Sequence, residues 1–155
     1  MTSEWPAELE AEYRKLCEEL VVRMNAAPAE QQAKWKEDYA NMKAAYAGEQ
    51  KAELQGELFA TFQVCDTNQT GLLNEAQLID FYKKAHANHV ARGWTALEIQ
   101  EDQIKAAYGI LNKLTAGADG VSMMDIANQT QKKADIMKEL TGEEKWCTKI
   151  STREQ

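Results

Sequence analysis

A polar stretch in the middle of the chain carries oxygen-bearing side chains at alternating positions. Asp66, Asn68 and Thr70 stand two residues apart, and Gly71 follows where a sharp turn needs a left-handed backbone. A calcium ion takes roughly six to eight oxygen ligands, which a wrapped loop supplies from alternate residues. The ligands predicted for this loop are Asp66, Asn68, Thr70, the carbonyl of Leu72, Asn74 acting through water, and Gln77.

Apolar residues flank this loop at the spacing of two amphipathic helices. They are Leu58, Phe62 and Cys65 before the loop and Leu78, Phe81 and Tyr82 after it. Loop and flanks together resemble an EF-hand of the superfamily that includes calmodulin-like and sarcoplasmic calcium-binding proteins. The resemblance implies a helix-loop-helix unit in which Leu73, the eighth loop residue, pairs with its counterpart in a neighbouring loop.

The loop departs from the EF-hand pattern at its last position, where Gln77 replaces a bidentate glutamate. A neutral amide offers one carbonyl oxygen and no charge, so Asp66 is the sole anion among the predicted ligands. Because calcium affinity follows ligand charge and site rigidity, this pattern predicts a weak calcium site, with a purely structural turn as the alternative.

A second, less regular loop lies downstream. Val121, Ser122 and Asp125 resemble the back half of an EF-hand loop, with Val121 as the counterpart of Leu73. A longer loop that begins at Asn112 places apolar residues correctly on the incoming helix, namely Ile104, Ala107, Tyr108 and Leu111. It resembles the longer pseudo-EF-hand loop, which ligates mostly through backbone carbonyls.

The resemblance of the second loop implies Asn112, Asp119 and Asp125 as its candidate calcium ligands, with a vestigial loop that only pairs with the first as the alternative. The outgoing helix fits less well, because Gln129 and Lys133 fall where apolar residues are expected.

The rest of the chain reads as helix throughout. Helix formers dominate, Pro28 is the last proline, and no segment alternates like a strand. The pattern predicts an all-α fold in which paired EF-hand units follow a helical hairpin, itself a degenerate EF-hand pair or an unrelated unit. The predicted divisions are a hairpin over 1–48, the EF-hand pair over 49–140 and a tail helix over 141–155.

Composition excludes several classes of function. The net charge of −7 argues against nucleic-acid binding, which needs an excess of basic residues on the surface. No apolar run is long enough to span a membrane. An acidic start without an apolar stretch, together with three cysteines, favours an intracellular, cytoplasmic protein, with cytoskeletal association as one possibility. No nucleotide-binding, nucleophile-elbow or zinc-protease motif is present, which predicts a protein that is not an enzyme.

Two functions remain open from the sequence. The first is an EF-hand protein that binds a partner's amphipathic helix in an apolar cleft, with weak or vestigial calcium binding; the second is a constitutive structural subunit of a larger assembly. An open cleft would expose apolar surface, so a cover is expected. The chain offers its tail helix with Trp146 and Ile150, or its first helix with Trp5, Leu9 and Leu16. We favour an external helix as the cover.

Overall fold

The computed structural model describes residues 5–94, 100–115 and 120–142. Helices make up 81% of these residues and no strand is found among them, which confirms the all-α prediction. The helices are α1 (Ala7–Ala26), α2 (Ala29–Ala47), α3 (Lys51–Cys65), α4 (Glu75–Ala91), α5 (Glu101–Leu114) and α6 (Met123–Thr141). No helix in the described ranges is long and apolar enough to cross a membrane.

Helices α1 and α2 are joined by a tight corner. Ala27 is extended, with ψ of 154°, and Pro28 precedes the first residue of α2, where a missing N–H costs nothing. The buried side chain of Gln32 donates from Nε2 to the carbonyl oxygens of Ala27 at 2.7 Å and Asn25 at 3.3 Å. This side chain therefore satisfies carbonyls that the end of α1 leaves without helical partners.

Two apolar clusters form the core. The first is built by one face of α1 together with α5 and α6, from Leu9, Tyr13, Cys17, Leu20, Val21, Met24, Ile110, Ile136 and Met137. The second joins α3, α4, α5 and the start of α6 to the two loops, through Phe62, Cys65, Leu73, Leu78, Phe81, Ile104, Leu111, Val121 and Ile126. Because Trp5 and Leu114 touch both clusters, the clusters are continuous.

The helices do not all pack on their neighbours in sequence, as they would in a simple succession of hairpins. Helix α3 packs on α4, α4 on α5, and α2 on α3, whereas α1 packs on both α5 and α6. Helices α5 and α6 each pack more extensively on α1 than on each other. We call the space between them, which α1 fills, the α5–α6 groove. The predicted hairpin over 1–48 is thus two consecutive helices that pack mainly on later parts of the chain.

The tail helix predicted over 141–155, with Trp146 and Ile150, lies outside the described residues except at its start. Thr141 is the last residue of α6, and Gly142 ends that helix in the left-handed conformation with φ of 80°. A glycine adopts this conformation without the steric cost of a Cβ.

Candidate functional site

The first loop is organised around one carboxylate. Asp66 is 8% exposed; its Oδ2 accepts a hydrogen bond from the backbone N–H of Gly71 at 2.8 Å, and its Oδ1 accepts from that of Thr70 at 3.1 Å. The hydroxyl of Thr70 lies 3.1 Å from the carbonyl oxygen of Leu72, to which it donates. Gly71 has φ of 81°, the left-handed turn that the sequence predicted. Asn68 is exposed.

The end of the first loop is the start of helix α4. The Asn74 side chain accepts from the backbone N–H of Gln77 at 2.9 Å, and Gln77 Oε1 accepts from the backbone N–H of Asn74 at 2.9 Å. This reciprocal pair is a capping box. Gln77 Nε2 also donates to the hydroxyl of Thr67 at 3.0 Å. The structure therefore places two of the predicted ligands, Asn74 and Gln77, as the cap of a helix.

The second loop ends in the same way. Ser122 Oγ accepts from the backbone N–H of Asp125 at 3.1 Å, and Asp125 Oδ2 accepts from the backbone N–H of Ser122 at 2.9 Å. The sequence predicted that a loop begins at Asn112. This prediction is wrong, because helix α5 extends to Leu114 and Asn112 lies in its last turn. Its Oδ1 is shielded from solvent and accepts no hydrogen bond from the described residues. Asp119 lies outside the described residues.

The two loops are joined by a two-residue antiparallel bridge. The N–H of Leu73 donates to the carbonyl of Val121 at 2.8 Å, and the N–H of Val121 donates to that of Leu73 at 2.9 Å. Both side chains are fully buried. A Cβ on Gly120 would lie 2.5 Å from the Leu73 carbonyl oxygen, so glycine is required for this approach. The sequence predicted the contact of Leu73 with Val121 but not the need for Gly120.

The oxygens predicted as ligands in the first loop carry one negative charge in total. Asp66 supplies the only carboxylate among the predicted ligands, and no group of three His, Cys, Asp or Glu side chains gathers anywhere in the described residues. Asn68, Thr70 and the Leu72 carbonyl add neutral oxygens of the kind calcium accepts. Gln77 Oε1 already accepts a hydrogen bond from the backbone N–H of Asn74.

The α5–α6 groove is lined by charged side chains as well as by apolar residues of the first cluster, namely Ile110, Ile136 and Met137. On α6, Lys132 Nζ is 2.7 Å from Glu10 Oε1 of α1 and 5.5 Å from the centroid of the Trp5 ring. Farther along α6, Glu139 accepts from Arg14 at 2.9 Å. On α5, Lys113 lies 3.9 Å from Glu12. Acid–base pairs therefore connect α1 to both walls of the groove.

A chain of polar side chains crosses the apolar interior of the molecule. Tyr82 of α4 donates from its hydroxyl to Gln129 Oε1 at 2.9 Å, and Gln129 Nε2 donates to the hydroxyl of Tyr13 on α1. Gln129 is 7% exposed, so both ends of its amide need these partners. Burial raises the pKa of Tyr82 to about 12 and raises that of Tyr13 well above its usual range.

Gln129 has a structural role that differs from the sequence-based interpretation. It interrupted the apolar face of α6 and counted against the second EF-hand unit. A polar residue on an otherwise apolar helix face was the available signal for a buried hydrogen-bond link, but the two tyrosines that satisfy it lie on other helices. Lys133, the second misfit, lies near Cys17 of α1, and burial lowers its pKa.

Replacing Tyr82 with phenylalanine should flatten the loss of stability at alkaline pH. The tyrosine pKa rises from its ordinary 10.0 to about 12 on folding, so its contribution is complete below pH 10 and is lost as the pH rises through about 12. Urea unfolding of wild type should therefore show a free energy that falls above pH 10, and Tyr82→Phe should show a shallower fall. At pH 7 the variant should lose about 1 kcal/mol, because Gln129 loses one donor. If the free energy of unfolding fell equally with pH in both proteins, Tyr82 would not be the cause of the alkaline loss of stability.

Comparison with known proteins gives this chain no relative: no family model, no curated protein and no solved structure matches it.

Proposed function

We propose that this chain is a non-enzymatic, EF-hand-like protein that binds an amphipathic helix of a partner and has weak or vestigial calcium binding. The observation that carries the proposal is the bridge of Leu73 with Val121, because it joins two loops that each run into a capped helix. The pairing of eighth loop residues is what the EF-hand resemblance implies.

The calcium part of the proposal follows from the first loop. Asp66, Asn68, Thr70 and the Leu72 carbonyl would hold the ion. Gln77, whose single oxygen also accepts the Asn74 N–H, would add no charge and only a shared neutral oxygen. Calcium, when bound, supplies the positive charge around which these oxygens gather. With one carboxylate, the affinity should fall in the weak range of about 10⁻⁴–10⁻³ M or below detection.

The helix-binding part is supported by what the α5–α6 groove already holds. Leu9, Tyr13, Leu20 and Met24 of α1 are separated by intervals of four or seven residues and enter the first cluster from one helix face. Helices laid into apolar grooves are commonly anchored at this spacing. A groove that accepts α1 therefore has the shape and chemistry for an amphipathic helix.

A constitutive structural subunit is the second candidate function. It is favoured by the roles of Gln77 and Asp125, which stand at the closing positions of the two loops and both cap helices through their side chains. Loops closed by their own hydrogen bonds hold α4 and α6 without an ion.

Calorimetric calcium titration, with and without magnesium, tests this function. We expect heats of a weak site or none, and helical circular dichroism that is the same in chelator and in millimolar calcium, because the apolar clusters hold the fold. Micromolar affinity that persists in magnesium would overturn the proposal in favour of a calcium switch. A coil-like spectrum in chelator would show instead that the fold depends on metal.

A further inference from the structure

Helix α1 occupies the α5–α6 groove in the manner of a bound ligand. Its contacts are concentrated on α5 and α6, and those two helices pack on α1 more than on each other. One face of α1 is buried, with Val21 0% exposed, while the adjacent Val22 is 65% exposed on the solvent-facing side. Removing α1 would therefore leave two helices with an apolar gap between them.

Three charged side chains of α1 lie opposite groove residues of the opposite sign. Acidic Glu10 and Glu12 meet Lys132 and Lys113, and basic Arg14 meets Glu139. The two lysines lie on different walls, so an acidic helix entering between them is attracted from both sides. Such pairs contribute more to the choice of partner and its orientation than to raw affinity.

A single corner ties α1 to the rest of its own segment. Ala27 and Pro28 are extended, and the Gln32 side chain holds the end of α1 through two carbonyls. Because proline fixes its own φ, α1 could leave the groove with α2 still on α3 only through rotation about ψ of Ala27 and Pro28, with loss of the two Gln32 hydrogen bonds. This corner is therefore the segment that must change when α1 is displaced.

We propose that α1 is a displaceable internal occupant of the α5–α6 groove, and that the groove takes from a partner protein an amphipathic helix with the same pattern as α1. That pattern is an apolar face, acids opposite Lys132 and Lys113, and a base opposite Glu139. The inference rests on the proposed helix-binding function and adds to it the partner's charge pattern and the autoinhibitory contact. A tethered helix acts at an effective concentration of about millimolar, so the intact chain resists a free competitor.

A fluorescent peptide with the sequence of residues 5–27 is the probe, titrated against the full chain in chelator. Val21→Asp places a charge on the buried face of α1 and should free the groove, so this variant should bind the peptide at least about tenfold more tightly than wild type. Val22→Asp is the matched control, since the same charge on the exposed face should leave peptide binding at the wild-type level. Circular dichroism of each variant checks that the helices persist.

A charge-reversed chain gives a second route if Val21→Asp loses its helices. Glu10→Lys combined with Arg14→Glu makes α1 repel Lys132 and Glu139 without altering the apolar core, and it should also raise binding of the wild-type peptide. In this freed chain, Lys113→Glu should weaken binding of the wild-type peptide, because it removes the cation opposite Glu12. A peptide carrying Glu12→Lys should recover the lost affinity.

Three results would overturn the proposal. A freed, helical chain that binds no peptide would mean that the groove closes without α1. If the charge reversals left peptide binding unchanged, the proposed acidic pattern of the partner helix would be wrong. A wild-type chain that sediments as a dimer exchanging α1 would make a second copy the occupant. The peptide titrations are all run in chelator, so their outcome does not depend on calcium. Tight calcium binding in the calorimetric test would therefore reject the proposed weak site without altering the peptide results.

Discussion

Replacing Gly120 with alanine should lower the free energy of unfolding by about 2–3 kcal/mol. The new Cβ would lie 2.5 Å from the Leu73 carbonyl oxygen and 2.9 Å from its carbon, distances that force the two loops apart. Separation breaks both hydrogen bonds of the bridge and disturbs two fully buried side chains, Leu73 and Val121. Urea unfolding measures the loss, and hydrogen exchange at the two bridge amides should rise with it.

Two other glycines give matched controls for this variant. A Cβ on Gly71 meets nothing within 4 Å, but φ of 81° is unfavourable for alanine, so Gly71→Ala should cost about 1 kcal/mol. Gly56 is exposed inside α3 and also meets nothing, so Gly56→Ala should stabilise by about 0.5–1 kcal/mol. If Gly120→Ala were no worse than Gly71→Ala, the close approach of the loops would not contribute to stability.

Changing Gln77 to glutamate should tighten calcium binding by at least about tenfold, because it adds a charge and a second carboxylate oxygen at the closing position. The fold should tolerate the change. Glutamate also accepts from the Asn74 backbone in a capping box, and a negative charge in the first turn of α4 is favourable. Calorimetric titration of both proteins in the same buffer provides the measurement.

Gln69→Glu is the control for charge alone. It adds the same side chain to the same loop at a position between the predicted ligands, so it should change affinity far less than Gln77→Glu. Combining Gln77→Glu with Asp66→Asn should remove the gain, because the first carboxylate is lost. Equal affinities for wild type and Gln77→Glu would show that the loop register from Asp66 to Gln77 is wrong.

The local features of the loops were predictable because they depend on residues close in sequence. Asp66, Thr70 and Gly71 form a turn whose hydrogen bonds span at most five residues, and the turn follows from their types and spacing. The all-α fold is predictable for the same reason, since helical periodicity is also local.

Features that depend on distant packing were not predictable. The apolar face of α1 fits any groove of the right spacing, so the sequence offered α1 as a cover without indicating that it packs on α5 and α6. Asn112 looked like the start of a loop, but α5 continues past it to Leu114. Gln77 looked like a weakened ligand, yet an amide carries both a donor and an acceptor and therefore serves both the Asn74 backbone and Thr67.

The position of α1 between α5 and α6 also bears on the order in which the protein is made. The ribosome releases α1 well before either wall of its groove, and contacts such as Arg14 with Glu139 join residues far apart in the chain. Until α5 and α6 emerge, the buried face of α1 has no native surface to cover it and is open to aggregation. Closing such distant contacts is slow. Final folding must therefore await the completion of α6, and a chain interrupted before α5 would carry α1 as an exposed apolar helix.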